Sequence, residues 1–575
     1  MRVAILGMGP RGLSVLERMV VRLRKEPPDG DVVIWAVDPV EHGSGRVWRS
    51  AQPEWLAMNA TAGEVTVRSP DGFVPDPELG APGECPPRRR YGEYLRSVFA
   101  ELCRGAPAGV SVRPVLATAT SVVRGPGGRL VVGLDRGSPL EVDKVVVATG
   151  HGAEDSEPGQ IGGCPVIRAG IAADMPLDTV APGATVALRG LGLTFYDLVR
   201  ELSVGRGGRF TRSASGRLRY AASGREPLIV AGSRGGLPFR ARPRVTGAYE
   251  TTPKPVVFTP EVVERLRERA RATQGTPQLD FAADVEPVIQ AEVERAYHAC
   301  RARLGHRRED APPLDLHRLG RPFDGRSFGS PEAFRTSLLD ELRADVRQSR
   351  QGTAASPTKA ALEVLRQMRP LLPAVVDFGG LLPASHRDFL TRWEPLSYVL
   401  SAGPPADHVE QLACLVETGV VTVVGPAARF TPDAATGRWV VESPQVEGSA
   451  CPADLLIEAH VPPTDVTKSA SPLIRQMLAD GMISEYVNVD AVTGDRFATG
   501  GLAVTRSPFN VVDAQGRPDR DIHAIGVATD RTRWFTQVGT GRPGQDSPFV
   551  RDADDIATDV LRAARRPAWS ARSAG

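Results

Sequence analysis

The chain has little to tie it together covalently or to hold it at a surface. Its 575 residues include only six cysteines, at positions 85, 103, 164, 300, 414 and 451. None falls in a Cys-x-x-Cys pair or at metal-ligand spacing, which excludes the dithiol chemistry of flavin disulfide reductases and leads us to expect no metal site. Reduced, mostly buried thiols are expected instead. No uninterrupted run of ~18 apolar residues occurs, so no membrane-spanning helix is expected. Seventy basic residues against sixty-eight acidic ones leave a formal net charge of +2, too small a field to draw nucleic acid or an anionic membrane surface. The first residues read as a nucleotide loop rather than a cleavable leader, and a cytoplasmic place is expected.

What is present is ample apolar material, 41% of residues. At ~150 residues per domain it is enough for about two to four domains. The opening stretch, MRVAILGMGPRGLSVLERM, is an apolar strand running into Gly7-x-Gly9-x-x-Gly12 and then a helical pattern. Gly7 turns the chain tightly, Gly9 lets the backbone approach a pyrophosphate, and Gly12 lets the helix pack on the strand, so that the helix N-terminus faces the phosphates. The next apolar strand, VVIWAVD, ends in Asp38, an acceptor for a ribose hydroxyl. A second strand-turn-helix unit, ATVALRGLGLTFYDLVREL, carries Gly190-x-Gly192 with Phe195 at the third glycine position. The strand PLIVAG then ends in Ser233 and Arg234, which can donate to a 2′-phosphate that an acidic residue would repel; this reads as NADPH rather than NADH.

The chain also repeats itself loosely. Gly109 to Gly150 gives strands and glycine-rich turns ending in DKVVVATG, and the stretch from Gly419 gives a similar series ending in ADLLIEAH. Between Thr259 and about Arg369 the apolar spacing turns helical. Ser356-Pro357 opens a further helix whose stretch carries Lys359, Arg366 and Arg369, read either as a solvated face or as an anion site. Ser547-Pro548 opens a last helix. It is either an ordinary capped helix or one whose N-terminus faces the pyrimidine end of a flavin. His42 and His151 border flavin segments, where backbone hydrogen bonds are the commoner role.

The segments Gly43-Ser44-Gly45-Arg46, Trp55 to Asn59, Arg90-Tyr91-Gly92-Glu93-Tyr94-Leu95, Ala148-Thr149-Gly150-His151, Gly190 to Asp197, Gly232 to Gly235, Ser401 to Pro405 and Trp534-Phe535-Thr536 resemble, nearly end to end, the FAD-NAD(P)-binding family of bacterial flavoproteins. Within it the chain is similar to the flavin-dependent aspartate N-monooxygenases, or nitrosuccinate synthases, of natural-product pathways. Trp48 stands where the family usually has Tyr, and Leu56-Ala57-Met58-Asn59 where it has Leu-Leu-Asn.

The resemblance implies an α/β fold with two Rossmann-like dinucleotide-binding domains and a helical insertion. Residues 1–175 and 461–575 would form the FAD domain, 176–258 and 370–460 the NADPH domain, and 259–369 the insertion. It implies FAD and NADPH as cofactors, with contacts from Gly7, Gly9, Pro10, Arg11, Gly12, Asp38, Arg46, Trp48, Asn59, Thr149, Gly150, Gly190, Gly192, Thr194, Ser233, Arg234, Gly526 and Trp534. The expected activity is N-oxygenation of a small amino acid by molecular oxygen, L-aspartate first, with no single catalytic side chain, because the cofactor carries the chemistry. Its carboxylates call for Arg or Lys; the candidates are Arg46, Arg90, Lys359, Arg531, Arg533 and Arg542. The alternatives are a flavin monooxygenase acting on another amine, a sulfide or a ketone, and a non-catalytic FAD/NADPH redox sensor.

Overall fold

Two six-stranded sheets, each built around a strand that runs into a glycine turn, organise the molecule. The computed structural model describes the chain except residues 73–78, 152–157, 245–252, 463 and 563–575. In the first sheet Arg2–Leu6 lies between Val32–Asp38 and Lys144–Val147, all parallel, with Val110–Leu116 beyond on one side and Pro518–Ala524 and Asn510–Val512 on the other. The sequences VAIL and VVIWAVD are near-continuous apolar runs because a parallel sheet is covered on both faces. Helices Pro10–Lys25 and Pro548–Arg562 pack against each other on this sheet.

The second sheet repeats the plan. Thr185–Arg189 lies between Leu228–Gly232 and Leu455–Glu458, and Val421–Val423 and Cys164–Ile167 extend it in parallel. Before the strands Lys144–Val147 and Leu455–Glu458 the chain forms a three-stranded antiparallel sheet, Ala119–Val142 in one case and Arg429–Ala453 in the other. The loose repeat in the sequence is thus a repeat of topology.

Two expected boundaries move. Pro158–Ile161 and Cys164–Ile167 pair into the second sheet, upstream of the division placed at 175, because Val166 and Ile167 align with Leu456 and Ile457. Nor does the helical stretch end at 369. Leu372, Val375, Phe389, Trp393 and Leu400 share one buried core with Phe258, Ile289 and Leu365, and helices continue to Glu417. Among the described residues, no helix is long and apolar enough to cross a membrane.

Candidate active site

The first glycine turn is closed by backbone. Gly7 has φ +97°, where only glycine is at ease, and a Cβ there would strike the carbonyl of Ala148. At Gly12 a Cβ would strike the carbonyl oxygen of Gly7. Gly9 differs: its φ is an ordinary −75°, and a Cβ would lie 3.8 Å from Gly45 Cα and Ser44 O. No protein atom demands glycine at this position. What lies before it is a cavity of about 450 Å³, walled by Gly7, Pro10, Arg11, Asp38, Arg46 and Trp48 on one side and by Thr149, Gly150 and Gln537 on the other. A flat backbone at a helix N-terminus, open to a cavity, fits a pyrophosphate.

Asp38 and Arg11 tie this cradle down. The Asp38 carboxylate, 4% exposed, accepts the N–H groups of Met8 and Val40, each at 2.8 Å, and of Glu41 at 3.1 Å. Burial still pushes its pKa above the usual carboxylate range. Its oxygens hold the loop as well as facing the cavity, a task the sequence did not announce. The Arg11 guanidinium lies 4.9 Å above the Phe549 ring and 3.6 Å from Asp552, with its buried Nε unpartnered. Gly526, at φ +80°, packs on Arg11, its notional Cβ 3.0 Å from Arg11 Cγ, rather than lining the cavity.

The second turn opens on a cavity of about 630 Å³ walled by Gly190, Gly192, Thr194, Ser233, Arg234 and Arg321. Gly190 has φ +125°, and a Cβ there would come within 2.9 Å of Ala459 O. Gly192 precedes the helix Leu193–Leu202, whose third residue, Phe195, is fully buried. Ser233 Oγ accepts the Gly236 N–H at 3.1 Å, and Arg234 is exposed. Arg321 comes from the helical region, and sequence reasoning missed it because nothing near it in the chain signals a nucleotide.

The two cavities share His151 and Gln537 as wall residues. Beside this junction the second cavity is walled by Glu394, Tyr398, Asp530, Arg531 and Trp534. Glu394 accepts from Trp534 Nε1 at 2.7 Å and Tyr398 OH at 3.2 Å. Burial, with the like charge of Asp530, pushes its pKa up to about 7. Asp530, also pushed up by burial, accepts from Gln537 Nε2 at 3.0 Å and Thr536 Oγ1 at 3.1 Å. Burial lowers His151 to about 4, so its ring is neutral. Sequence reasoning also missed the Glu394 and Asp530 pair, whose members are far apart in the chain.

A family described as FAD-NAD(P)-binding matches residues 4–152. Nitrosuccinic acid synthase npaA of Aspergillus oryzae is 37% identical over 98% of this chain and 93% of its own length. An L-aspartate N-monooxygenase (nitrosuccinate-forming) of Streptomyces cremeus is 37% identical over 97% of this chain and 94% of its own. The chain belongs to the nitrosuccinate synthase family. Among solved structures, a cadaverine monooxygenase of Erwinia amylovora aligns over 100% of this chain and 98% of its own at 12% identity and a TM-score of 0.43.

In this member of the nitrosuccinate synthase family the expected contact residues separate into groups. Gly7, Gly9, Pro10, Arg11, Asp38, Arg46, Trp48, Thr149 and Gly150 wall the first cavity, and Gly190, Gly192, Thr194, Ser233, Arg234, Arg531 and Trp534 the second. Arg46 Nε also donates to Asp174 at 2.6 Å. Asn59 lines neither cavity; its Nδ2 donates to Ala402 O at 3.3 Å. Arg90 is exposed on the first turn of helix Arg88–Arg104, away from both. Lys359 is no surface anion site: it is fully buried, donating to Asp345 at 2.7 Å and Ala241 O at 2.5 Å. Arg533 is likewise consumed, bidentate to Asp552 at 2.9 Å and 4.1 Å above the Phe509 ring. Arg542 lies outside both cavities and donates to Gln367 at 2.9 Å. The last helix does not wall the first cavity, and among the described residues the buried Oγ atom of Ser547 has no hydrogen-bond partner. His42 Nε2 lies 3.0 Å from Ala36 O and 3.2 Å from Val115 O, a structural role.

Proposed function

We propose that this chain is an FAD- and NADPH-dependent monooxygenase that oxidises the amine of L-aspartate towards nitrosuccinate. The observation that carries this reading is end-to-end identity of 37% to enzymes bearing that name, in a chain whose two glycine cradles open on cavities that meet. The first cradle and its cavity would hold FAD, and the second NADPH, with Ser233, Arg234 and Arg321 towards the 2′-phosphate. Bound NADPH would supply a hydride and bound FAD, once reduced, the oxygen chemistry.

The chain's own residues bind, orient and manage protons. The amine must be unprotonated to be oxidised, so a group near the junction has to take its proton. Glu394, held near 7, is matched to that task at neutral pH, and neutral His151 adds no charge there. The buried ring of Trp534 and the half-buried ring of Tyr398 limit the access of water to Glu394. NADPH supply fits the expected cytoplasmic place.

The test is NADPH and oxygen consumption over a panel of amino acids, with mass spectrometry of the products. L-Aspartate should stimulate both and emerge with an oxidised nitrogen. Succinate should bind unchanged, and asparagine should bind poorly, having lost one carboxylate. A flavin that is reduced and reoxidised without any oxygenated aspartate product refutes the substrate while leaving the monooxygenase class.

A further inference from the structure

Buried cations are expensive unless an anion meets them, and among the described residues the buried lysines and arginines obey the rule with one exception. Its buried lysines, Lys144 and Lys359, lie 3.1 Å from Asp521 and 2.7 Å from Asp345. Among the buried arginines, Arg240 meets Glu341, Arg242 meets Glu64 and Arg533 meets Asp552, each at 2.9 Å, and Arg18 pairs with Asp71. Arg369 is 8% exposed. Among the described residues it has no carboxylate within ion-pair distance.

Among the described residues, Nη2 of Arg369 gives a hydrogen bond to Ser401 Oγ at 2.9 Å, while the buried Nε has no partner. The guanidinium carbon lies 5.2 Å from the centre of the Tyr398 ring and 5.5 Å from that of Phe535. Ring faces soften the cost of a buried cation but do not replace an anion. Burial takes the Arg369 pKa down to about 10, with Tyr398 and Glu363 acting against it and Arg366 and Arg242 acting with it; Glu363 is already paired with Arg366 at 3.1 Å. Arg366 and Arg242 share Glu64 between them, so that carboxylate is already spent.

The location points towards substrate. Tyr398 walls the second cavity beside Glu394, and Phe535 lies between Trp534 of that cavity and Thr536 of the first. Arg369 itself lines neither cavity, but the ring it stands against, Tyr398, walls the second. We infer that Arg369 is the anchor for a carboxylate of the substrate, which reaches it past the Tyr398 ring and completes the ion pair that the chain leaves open. This rests on the reading that the substrate is a small amino acid, and it gives a reason for the anionic substrate: the site is built one negative charge short.

The test uses the FAD-loaded full chain, with Arg369→Met and Arg369→Lys. Succinate, which carries the carboxylates without the amine, should raise the melting temperature of the unchanged protein and fail to do so in Arg369→Met. KM for L-aspartate should rise at least ~100-fold in Arg369→Met, by more than kcat falls, since truncating one partner of a buried charge pair costs that order. Arg369→Lys should recover part of the loss. Without ligand, Arg369→Met should melt no lower than the unchanged protein, because an uncompensated buried charge has been removed. Any of four results overturns the inference: an unaltered succinate response in Arg369→Met; a lower melting temperature with unaltered KM; loss of the NADP⁺ response while that to succinate stays; or no stabilisation of the unchanged protein by succinate, glutarate or acetate. If L-aspartate is not oxidised but one of these carboxylates stabilises the unchanged protein and not Arg369→Met, the substrate reading fails and the anchor stands.

Discussion

In the first cradle the helix is closed onto the strand by backbone, with Gly12 placed where any Cβ would strike the Gly7 carbonyl oxygen; the same position of the second cradle carries the fully buried Phe195. Both positions are third in their helices, and both helices follow an extended glycine, Gly9 or Gly192. The first cradle therefore depends on the absence of atoms. The second depends on a side chain, whose ring meets that of Tyr196 edge-on at 5.7 Å within the second sheet's core. The same nucleotide-binding turn can be built by removing a side chain or by standing the helix off on one.

That contrast can be broken from either end. The most complete effect is expected at Gly9. Gly9→Val should leave no flavin on the purified protein, because its side chain enters the cavity, while the apo chain loses only about 1 kcal/mol for the poorer helix cap. Flavin absorbance and urea unfolding of the apo protein measure the two separately. Phe195→Ala should cost about 3–5 kcal/mol of stability by opening a cavity in the second core. Gly12→Ala should cost about 3 kcal/mol through overpacking and release the flavin as well. If both proved mild, the two closures would be interchangeable and the contrast empty.

Smaller effects sharpen the difference between the two cavities. Arg234→Ala should weaken NADPH by about 1.5–3 kcal/mol, the range for hydrogen bonds to charged groups, and leave NADH nearly untouched in stopped-flow flavin reduction. Arg321→Ala should act in the same direction by less, because Arg321 also faces Asp324 at 3.8 Å. Glu394 belongs to the second cavity alone. Its folded pKa of about 7 lies above the ordinary 4.5. Its contribution to stability is therefore full below about pH 4.5 and is lost as pH rises through about 7. Glu394→Gln should flatten that fall by at least about 1.4 kcal/mol, the equivalent of one pKa unit, in melting temperatures taken from pH 4 to 8.

Much of the fold was legible because its signals are local. The glycine spacing, the apolar strands and the repeated hairpins each lie within a few tens of residues, and each appears in the two sheets. The candidate site was legible on its cofactor side for the same reason. On its substrate side the sequence offered a surplus of arginines with nothing to rank them. Arg533 and Lys359 looked available and are consumed by Asp552 and Asp345, whereas Arg369, open to reading as a solvated helix face or as an anion site, is buried and has no carboxylate at ion-pair distance among the described residues.

By itself, then, the sequence determined where the backbone must turn tightly and which strands are covered on both faces, because steric limits on φ and the periodicity of burial act between near neighbours. Only the tertiary structure decided which charges are spent and which remain. A charge's worth is set by desolvation and by a partner that comes from elsewhere in the chain, as Arg321 comes to the second cradle, Asp530 to Glu394, and Tyr398 and Phe535 to Arg369.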